Sequence, residues 1–168
     1  MGMQLQVFSY RFAEQVLNSK LVLKQEIEKV IKNPSINISS LSRPNFNNVL
    51  KDLFVSKGWE NQPSIFHEAK DPSARMDFLK ERVGIEVGFG HASFIGIDLL
   101  KFQIASYSGL DIIDVGVYIV TTRSFQKYMQ KNHNQNWEGS LSYEKVVRYL
   151  PHFKSAIQVP IYLVGIDL

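Results

Sequence analysis

Asp77 and Glu86 stand on either side of the dipeptide Glu81-Arg82, in a stretch whose alternation reads as two short strands, residues 76–80 and 83–89, joined by a tight turn. Facing side chains of an antiparallel pair lie ~5 Å apart, close enough for two carboxylates to share one divalent cation. On the second strand Val83, Ile85 and Val87 take one face, and Gly84, Glu86 and Gly88 the other. Glycine on both sides of Glu86 would leave that face bare, with room for a phosphodiester to reach the carboxylate. Taken alone, the pair reads first as an acidic patch on a solvated hairpin face, the glycines merely weakening the strand. A cation site needs further pattern.

Other chemistries are excluded more firmly. The chain has no cysteine, so disulfides, thiolate zinc sites and cysteine nucleophiles are absent. There is no Ser-His constellation and no HExxH, P-loop or Rossmann signature, so zinc protease and dehydrogenase readings have no footing and no nucleotide cofactor is expected. Between Asp114 and Glu138 the chain carries no acid but holds Arg123, Lys127, Lys131 and His133. A segment of one sign could face phosphate, although on charge alone a solvated helix face is the commoner explanation. His67 and His152 have no partner at a ligating spacing and read as structural or exposed.

The elements that must hold these residues follow from periodicity. Leu5 and Val7 alternate with polar neighbours, as in a short strand, and residues 20–32 place Leu23, Ile27, Val30 and Ile31 at helical spacings before Asn33-Pro34 stops them. Residues 35–45 read as a loop. A second helix carries Phe46, Val49, Leu50 and Leu53 to Gly58, and residues 59–69 read as extended, ending in a polar connector at 70–74. After the hairpin, Ser93 is the expected N-cap of a largely buried helix over 94–107, ended by Ser108-Gly109. Residues 112–120 suit a buried central strand, short helices are expected at 125–129 and 143–150 around a polar loop at 132–140, and residues 160–166 form the last strand. Strands alternating with helices, with one antiparallel hairpin, predict an α/β fold with a mixed sheet flanked by helices.

At 168 residues the chain is expected to be one domain. Its net charge of +3 is too small to mark a nucleic-acid binder by itself. No apolar run approaches the ~20 residues of a membrane span, and no leader is evident, so a cytoplasmic protein is expected.

The hairpin segment, residues 77–90, resembles the active-site hairpin of the BglII/BstYI-type restriction endonucleases, members of the PD-(D/E)xK nuclease superfamily. The likeness continues through Asp98-Leu99-Leu100-Lys101, Ile113-Asp114-Val115-Gly116-Val117, Trp137-Glu138-Gly139 and the closing stretch from Val159-Pro160 to Gly165-Ile166. It covers residues 74–167 well and the N-terminal third in outline. The resemblance implies a restriction-endonuclease-like fold and a homodimer that cuts both strands of double-stranded DNA with magnesium at a short palindromic site, one built around GATC in these relatives. It makes Asp77 and Glu86 metal-binding carboxylates, with the Val87 carbonyl completing the coordination and water as nucleophile.

One departure is plain. The superfamily carries lysine, and these relatives glutamine, two residues after the glutamate; here that residue is Gly88. Lys80 should point to the opposite face from Asp77. Lys101, on the following helix, is the candidate catalytic substitute if that helix packs beside the hairpin; otherwise it pairs with Asp98 on the surface. Three further readings are cleavage by the metal alone with no substitute for position 88, a DNA-binding protein whose cleavage is disabled at Gly88, and a repair-type nuclease of the same superfamily. The relatives read bases from the loop after the hairpin, here His91 with Ser93, and from a late loop, here Lys131, Asn132, Asn134 and Asn136, whose side chains have suitable chemistry for base edges. Arg123 and Lys127 would touch phosphate. Some superfamily members add a carboxylate from the first helix, which would be Glu26 or Glu28, although a surface glutamate is the commoner case.

Overall fold

The computed structural model describes residues 2–65, 75–107 and 109–168. In chain order it has β1 (Gln4–Tyr10), α1 (Ala13–Asn18), α2 (Leu21–Ile31), α3 (Arg43–Ser56), β2 (Glu60–Asn61), β3 (Phe78–Lys80), β4 (Val83–Val87), α4 (Ile95–Ala105), β5 (Val115–Thr121), α5 (Arg123–His133), α6 (Tyr143–Tyr149) and β6 (Ile161–Asp167). The strands make one mixed sheet in the order β1-β6-β5-β4-β3-β2. β4, β5 and β6 are parallel; β1 pairs antiparallel to β6 on one side, and β3 and β2 follow antiparallel beyond β4 on the other.

Both faces of the sheet are covered, which is why every residue of β5 is buried and its sequence, Val-Gly-Val-Tyr-Ile-Val-Thr, is almost wholly apolar. One face, with Val83, Ile85, Val117 and Ile119, packs against α1, α2, α3 and α5 through residues such as Leu17, Ile27, Phe46 and Phe125. The other, with Tyr118, Val120 and Leu163, packs against α4 and α6 through Leu99, Phe102 and Val146. Here α4 comes down onto the sheet because Gly116 has no side chain: a Cβ there would lie 2.4 Å from the Phe102 ring. Among the described residues no helix is long and apolar enough to cross a membrane.

Several expectations need correction. The short α1 was not foreseen; it follows Arg11 and Phe12, both in left-handed backbone conformation, which no periodicity announces. α3 starts inside the expected loop, capped by the Ser42 hydroxyl on the Asn45 N–H. Of the expected extended stretch, Glu60–Asn61 is the part that forms a strand among the described residues. Ser93 does not cap α4: a 3-10 turn over Ala92–Phe94 precedes the helix, and His91 caps that turn by accepting from the Ser93 N–H at 3.1 Å. Nor is α4 largely buried, since Phe94, Ile97 and Leu100 are exposed near its start. α5 runs past the expected end to His133, so Lys131 and Asn132 sit on its last turn and not in a loop. His67, Ser108 and the connector at 70–74 lie outside the described residues.

Candidate active site

The hairpin register is Phe78↔Ile85, Leu79↔Gly84 and Lys80↔Val83, which carried one step further sets Asp77 opposite Glu86. A shift of one residue would turn Glu86 to the other face, so the turn matters. Glu81 and Arg82 both have positive φ, 45° and 66°, the pairing a two-residue hairpin turn needs. Arg82 is held by Asp111 and by Asp114, the latter at 2.9 Å, and Lys20 Nζ donates to the Glu81 carbonyl at 2.9 Å.

Glu86 is buried, 2% exposed, on the face covered by α4. The solvated hairpin face that the sequence suggests is therefore not what forms. The spaces left by Gly84 and Gly88 are filled as well: a Cβ at 84 would lie 2.3 Å from Met76 Sδ, and one at 88 lies 2.7 Å from Tyr118 Cε2. Bare glycines face a second layer of side chains here: Met76 and Ile113 over Gly84, and Tyr118 and Val120 of β5 over Gly88.

Lys101 reaches the pair. Its Nζ lies 2.9 Å from Glu86 Oε2, donates to the Arg75 carbonyl at 3.2 Å and lies 3.6 Å from Asp98 Oδ1. Lys101 thus neighbours the hairpin because α4 packs beside it; it keeps Asp98 as a partner, but in the interior and not on the surface. Asp77 is more open. Its Oδ2 accepts from the Val87 N–H at 2.7 Å and its Oδ1 from Gln62 Nε2 at 3.0 Å. Lys80 points away, as expected, to Glu26 Oε1 at 2.8 Å, which also accepts from Trp59 Nε1 at 2.7 Å. Glu26 is thereby committed, and α2, which carries both Glu26 and Glu28, packs on the sheet face opposite to Glu86.

Three carboxylates around one ammonium leave a net negative, partly dry cluster. Burial first, then the charge of Asp77, pushes the Glu86 carboxyl well above the usual carboxylate range, with Lys101 opposing. Burial also raises Asp77 against the pull of the Val87 amide, and raises Asp98 against the Tyr118 hydrogen bond. Burial is the largest influence on Lys101 and acts to lower it, but Glu86, Asp98 and Asp77 together outweigh it and hold the ammonium above its ordinary value.

The donor set fits a hard divalent cation. Glu86 Oε1 is buried with no hydrogen-bond partner among the described residues, beside a second carboxylate. The Val87 N–H points at Asp77, and the carbonyl of an extended residue points to the same side. Among the described residues no three His, Cys, Asp or Glu form a ligand cluster. Two carboxylates with a carbonyl are what magnesium takes when substrate phosphate and water supply the rest.

The remaining candidates gather at the carboxyl ends of β4 and β5, which lie side by side because those strands are parallel. There the loop after the hairpin is stitched to the late loop: Ala92 N–H donates to the Gly139 carbonyl at 2.9 Å and Leu141 N–H to Gly90 at 3.0 Å. His91 and Ser93 are exposed on this seam, and Arg43 from α3 donates to Ser140 Oγ at 3.2 Å. Arg123, Lys127, Gln130 and Asn134 form one exposed stripe along α5. Asn134 ends that helix in left-handed conformation, Asn132 bonds back to the Tyr128 carbonyl, and Asn136 caps the Glu138 N–H at 2.9 Å. His152 is exposed.

Gln62, Tyr118 and Arg43 were not singled out from sequence. Gln62 follows a two-residue strand too short for any pattern, Tyr118 sits in an apolar run, and Arg43 in a polar one, so none carries a local signal.

The mixed six-stranded sheet with helices on both faces is the fold of solved restriction endonucleases. The chain superposes on a crystal structure of restriction endonuclease BglII complexed with a DNA 16-mer (TM-score 0.75, 22% identity, 98% of this chain and 78% of that one). It also superposes on free BglII, with TM-score 0.68, 23% identity, and 96% and 78% coverage. Among curated proteins none matches. The family model for restriction endonuclease BglII/BglIII matches residues 5–166, and the chain belongs to that family.

The raised carboxyls have a consequence for stability. Between the usual carboxylate range and their folded values, Asp77 and Glu86 bind more protons folded than unfolded, so in metal-free protein stability falls as pH rises through that window. Glu86→Gln removes one such charge and gives the Asp77 carboxylate an amide donor. In EDTA its melting temperature should exceed wild type at pH 8, with the gain shrinking to nothing near pH ~4, below the ordinary Glu value. Thermal melts across pH check this; an unchanged or lower value at pH 8 would contradict the charge balance above.

Proposed function

We propose that this protein is a cytoplasmic, magnesium-dependent type II restriction endonuclease, active as a homodimer on a short palindromic site.

 It needs no ATP-type cofactor, in keeping with the missing P-loop. One observation carries this reading: two facing carboxylates, one with a buried oxygen that has no hydrogen-bond partner among the described residues, lie beside a lysine ammonium 2.9 Å from Glu86. Asp77, Glu86 and the Val87 carbonyl would hold the ion. Magnesium supplies a Lewis acid that activates water for attack on phosphorus and offsets the charge that builds there. Lys101, hydrogen-bonded to Glu86, would supply a positive charge for the phosphate oxygens as bonds change, the duty that Gly88 cannot perform. Membership of the BglII/BglIII family, and the solved complex of BglII with DNA, support duplex DNA as the substrate.

Asp77→Ala and Glu86→Ala should each abolish magnesium-dependent cleavage of phage DNA into discrete fragments. Binding in a gel shift should be kept or tightened, because carboxylate–phosphate repulsion is gone. Magnesium should raise the melting temperature of wild type and not of either variant. Wild-type protein that shifts DNA but never cuts it would favour instead a binding protein disabled at Gly88, the residue that lacks the usual side chain.

The seam between the two loops, with His91, Ser93, Asn134 and Asn136, is the base-reading surface in this proposal, and Arg123, Lys127 and Lys131 on α5 track phosphate. Lys127→Ala should weaken cognate and scrambled duplexes alike and flatten the salt dependence. His91→Ala should cost about 1–3 kcal/mol on the cognate duplex alone. Competition binding at several salt concentrations separates the two; equal losses on both duplexes would make His91 a phosphate contact.

A two-fold site needs two matching readers. Exposed Phe94, Ile97 and Leu100, with half-buried Ile104, line one side of α4, an apolar helix surface suited to a second copy. Leu100→Asp should turn a dimer into a monomer in sedimentation velocity and replace double-strand cuts by nicks or nothing. A variant that stays dimeric would move the interface elsewhere.

A further inference from the structure

Position 88 poses a spatial question as well as a chemical one. The volume that a side chain there would enter is taken by Tyr118: a Cβ on Gly88 would lie 2.7 Å from the ring at Cε2 and 3.1 Å from Oη. Tyr118 comes from β5, is fully buried, and meets Phe102 of α4 edge to face with centroids 5.8 Å apart. Its hydroxyl is the donor to Asp98 Oδ2 at 2.6 Å, and the other oxygen of Asp98 lies 3.6 Å from Lys101 Nζ. A chain of contacts therefore runs from the empty position 88 through Tyr118 and Asp98 to the ammonium beside Glu86.

We propose that Tyr118 and Asp98 are positioning residues for Lys101, and that Gly88 is glycine here because the Tyr118 ring must occupy its side-chain space. This rests on Lys101 acting in cleavage as proposed above. The physical need is clear. A lysine side chain has four rotatable bonds, and Lys101 is aimed at Glu86 by a carboxylate one helical turn away and by the Arg75 carbonyl. Once Glu86 gives its oxygens to a cation, its hold on the ammonium weakens, and Asp98 becomes the main anion keeping Lys101 in place. Asp98 itself, on the first turn of α4, accepts from the hydroxyl of Tyr118, whose ring is fully buried and packs edge to face on Phe102. A residue at 88 with any side chain would evict that ring and release the series.

The test uses Tyr118→Phe, which keeps the ring and removes only the hydroxyl, and Asp98→Asn, with Asp77→Ala as the control for the active-site assignment. Single-turnover cleavage at saturating enzyme should fall at least about tenfold in both variants while duplex affinity stays within about twofold. Lys101→Met should lose more, and Tyr118→Phe added to Lys101→Met should cost nothing further, since there is no ammonium left to aim. A second readout needs neither metal nor activity. In metal-free protein the Lys101 ammonium, nearly buried and held by two hydrogen-bond acceptors and the Asp98 carboxylate, should give a proton–nitrogen correlation in NMR, identified by its loss in Lys101→Met. That signal should disappear in Tyr118→Phe and Asp98→Asn. Wild-type rate with the signal retained in Tyr118→Phe would overturn the proposal, as would a loss that multiplies with that of Lys101→Met. If wild type itself does not cut, or Asp77→Ala still does, the nuclease reading fails instead, and the NMR signal still decides whether Tyr118 positions Lys101.

Discussion

The ion pair between Glu86 on β4 and Lys101 on α4, 2.9 Å apart and nearly out of solvent, is the constraint around which the rest of the molecule is arranged. Removing both charges from water is costly, and their attraction offsets the cost only when geometry and further partners are supplied. The Arg75 carbonyl, Asp98 and Asp77 supply them. For the pair to form at all, a helix and a strand from different parts of the chain must meet at one height. Gly116 under the Phe102 ring of α4 provides that close approach. Even so the charges do not balance. The surplus of carboxylate leaves a site whose resting state is electrostatically strained and whose natural complement is a cation.

Rigidity at the turn protects this arrangement. Asp77 and Glu86 face each other only in one register, and that register is set by two successive residues in left-handed conformation, neither of them glycine. Exposed ion pairs such as Arg82 with Asp111 and Asp114 contribute little individually to stability. Here they pin the turn from both sides and so hold two carboxylates in place farther along the strands. Parallel pairing of β4 with β5 then delivers both loops and the start of α5 to the same sheet end, where hydrogen bonds between residues 90–92 and 139–141 join them into one surface.

What the sequence by itself determined is local. Periodicity placed α2 to within a residue at each end, the hairpin with its turn, the central strand and the final strand, and the alternation along β4 put Glu86 on the face opposite to Val83 and Ile85. The pairing of Asp77 with Glu86 follows from that hairpin alone. Tertiary structure decided what lies across each face. Gly84 and Gly88 read as open space, yet Met76 and Tyr118 fill it, because alternation tells which residues share a face and says nothing of the remote element that covers it. Lys101 had two readings from sequence, surface partner of Asp98 or neighbour of the hairpin; α4 packing makes the second true and takes the Asp98 pair off the surface, since the turn of helix that carries both residues is the one beside Glu86. Tyr118 carried no signal, because an aromatic in a buried strand is ordinary core until its hydroxyl meets a carboxylate from another element, a meeting that only the folded chain arranges.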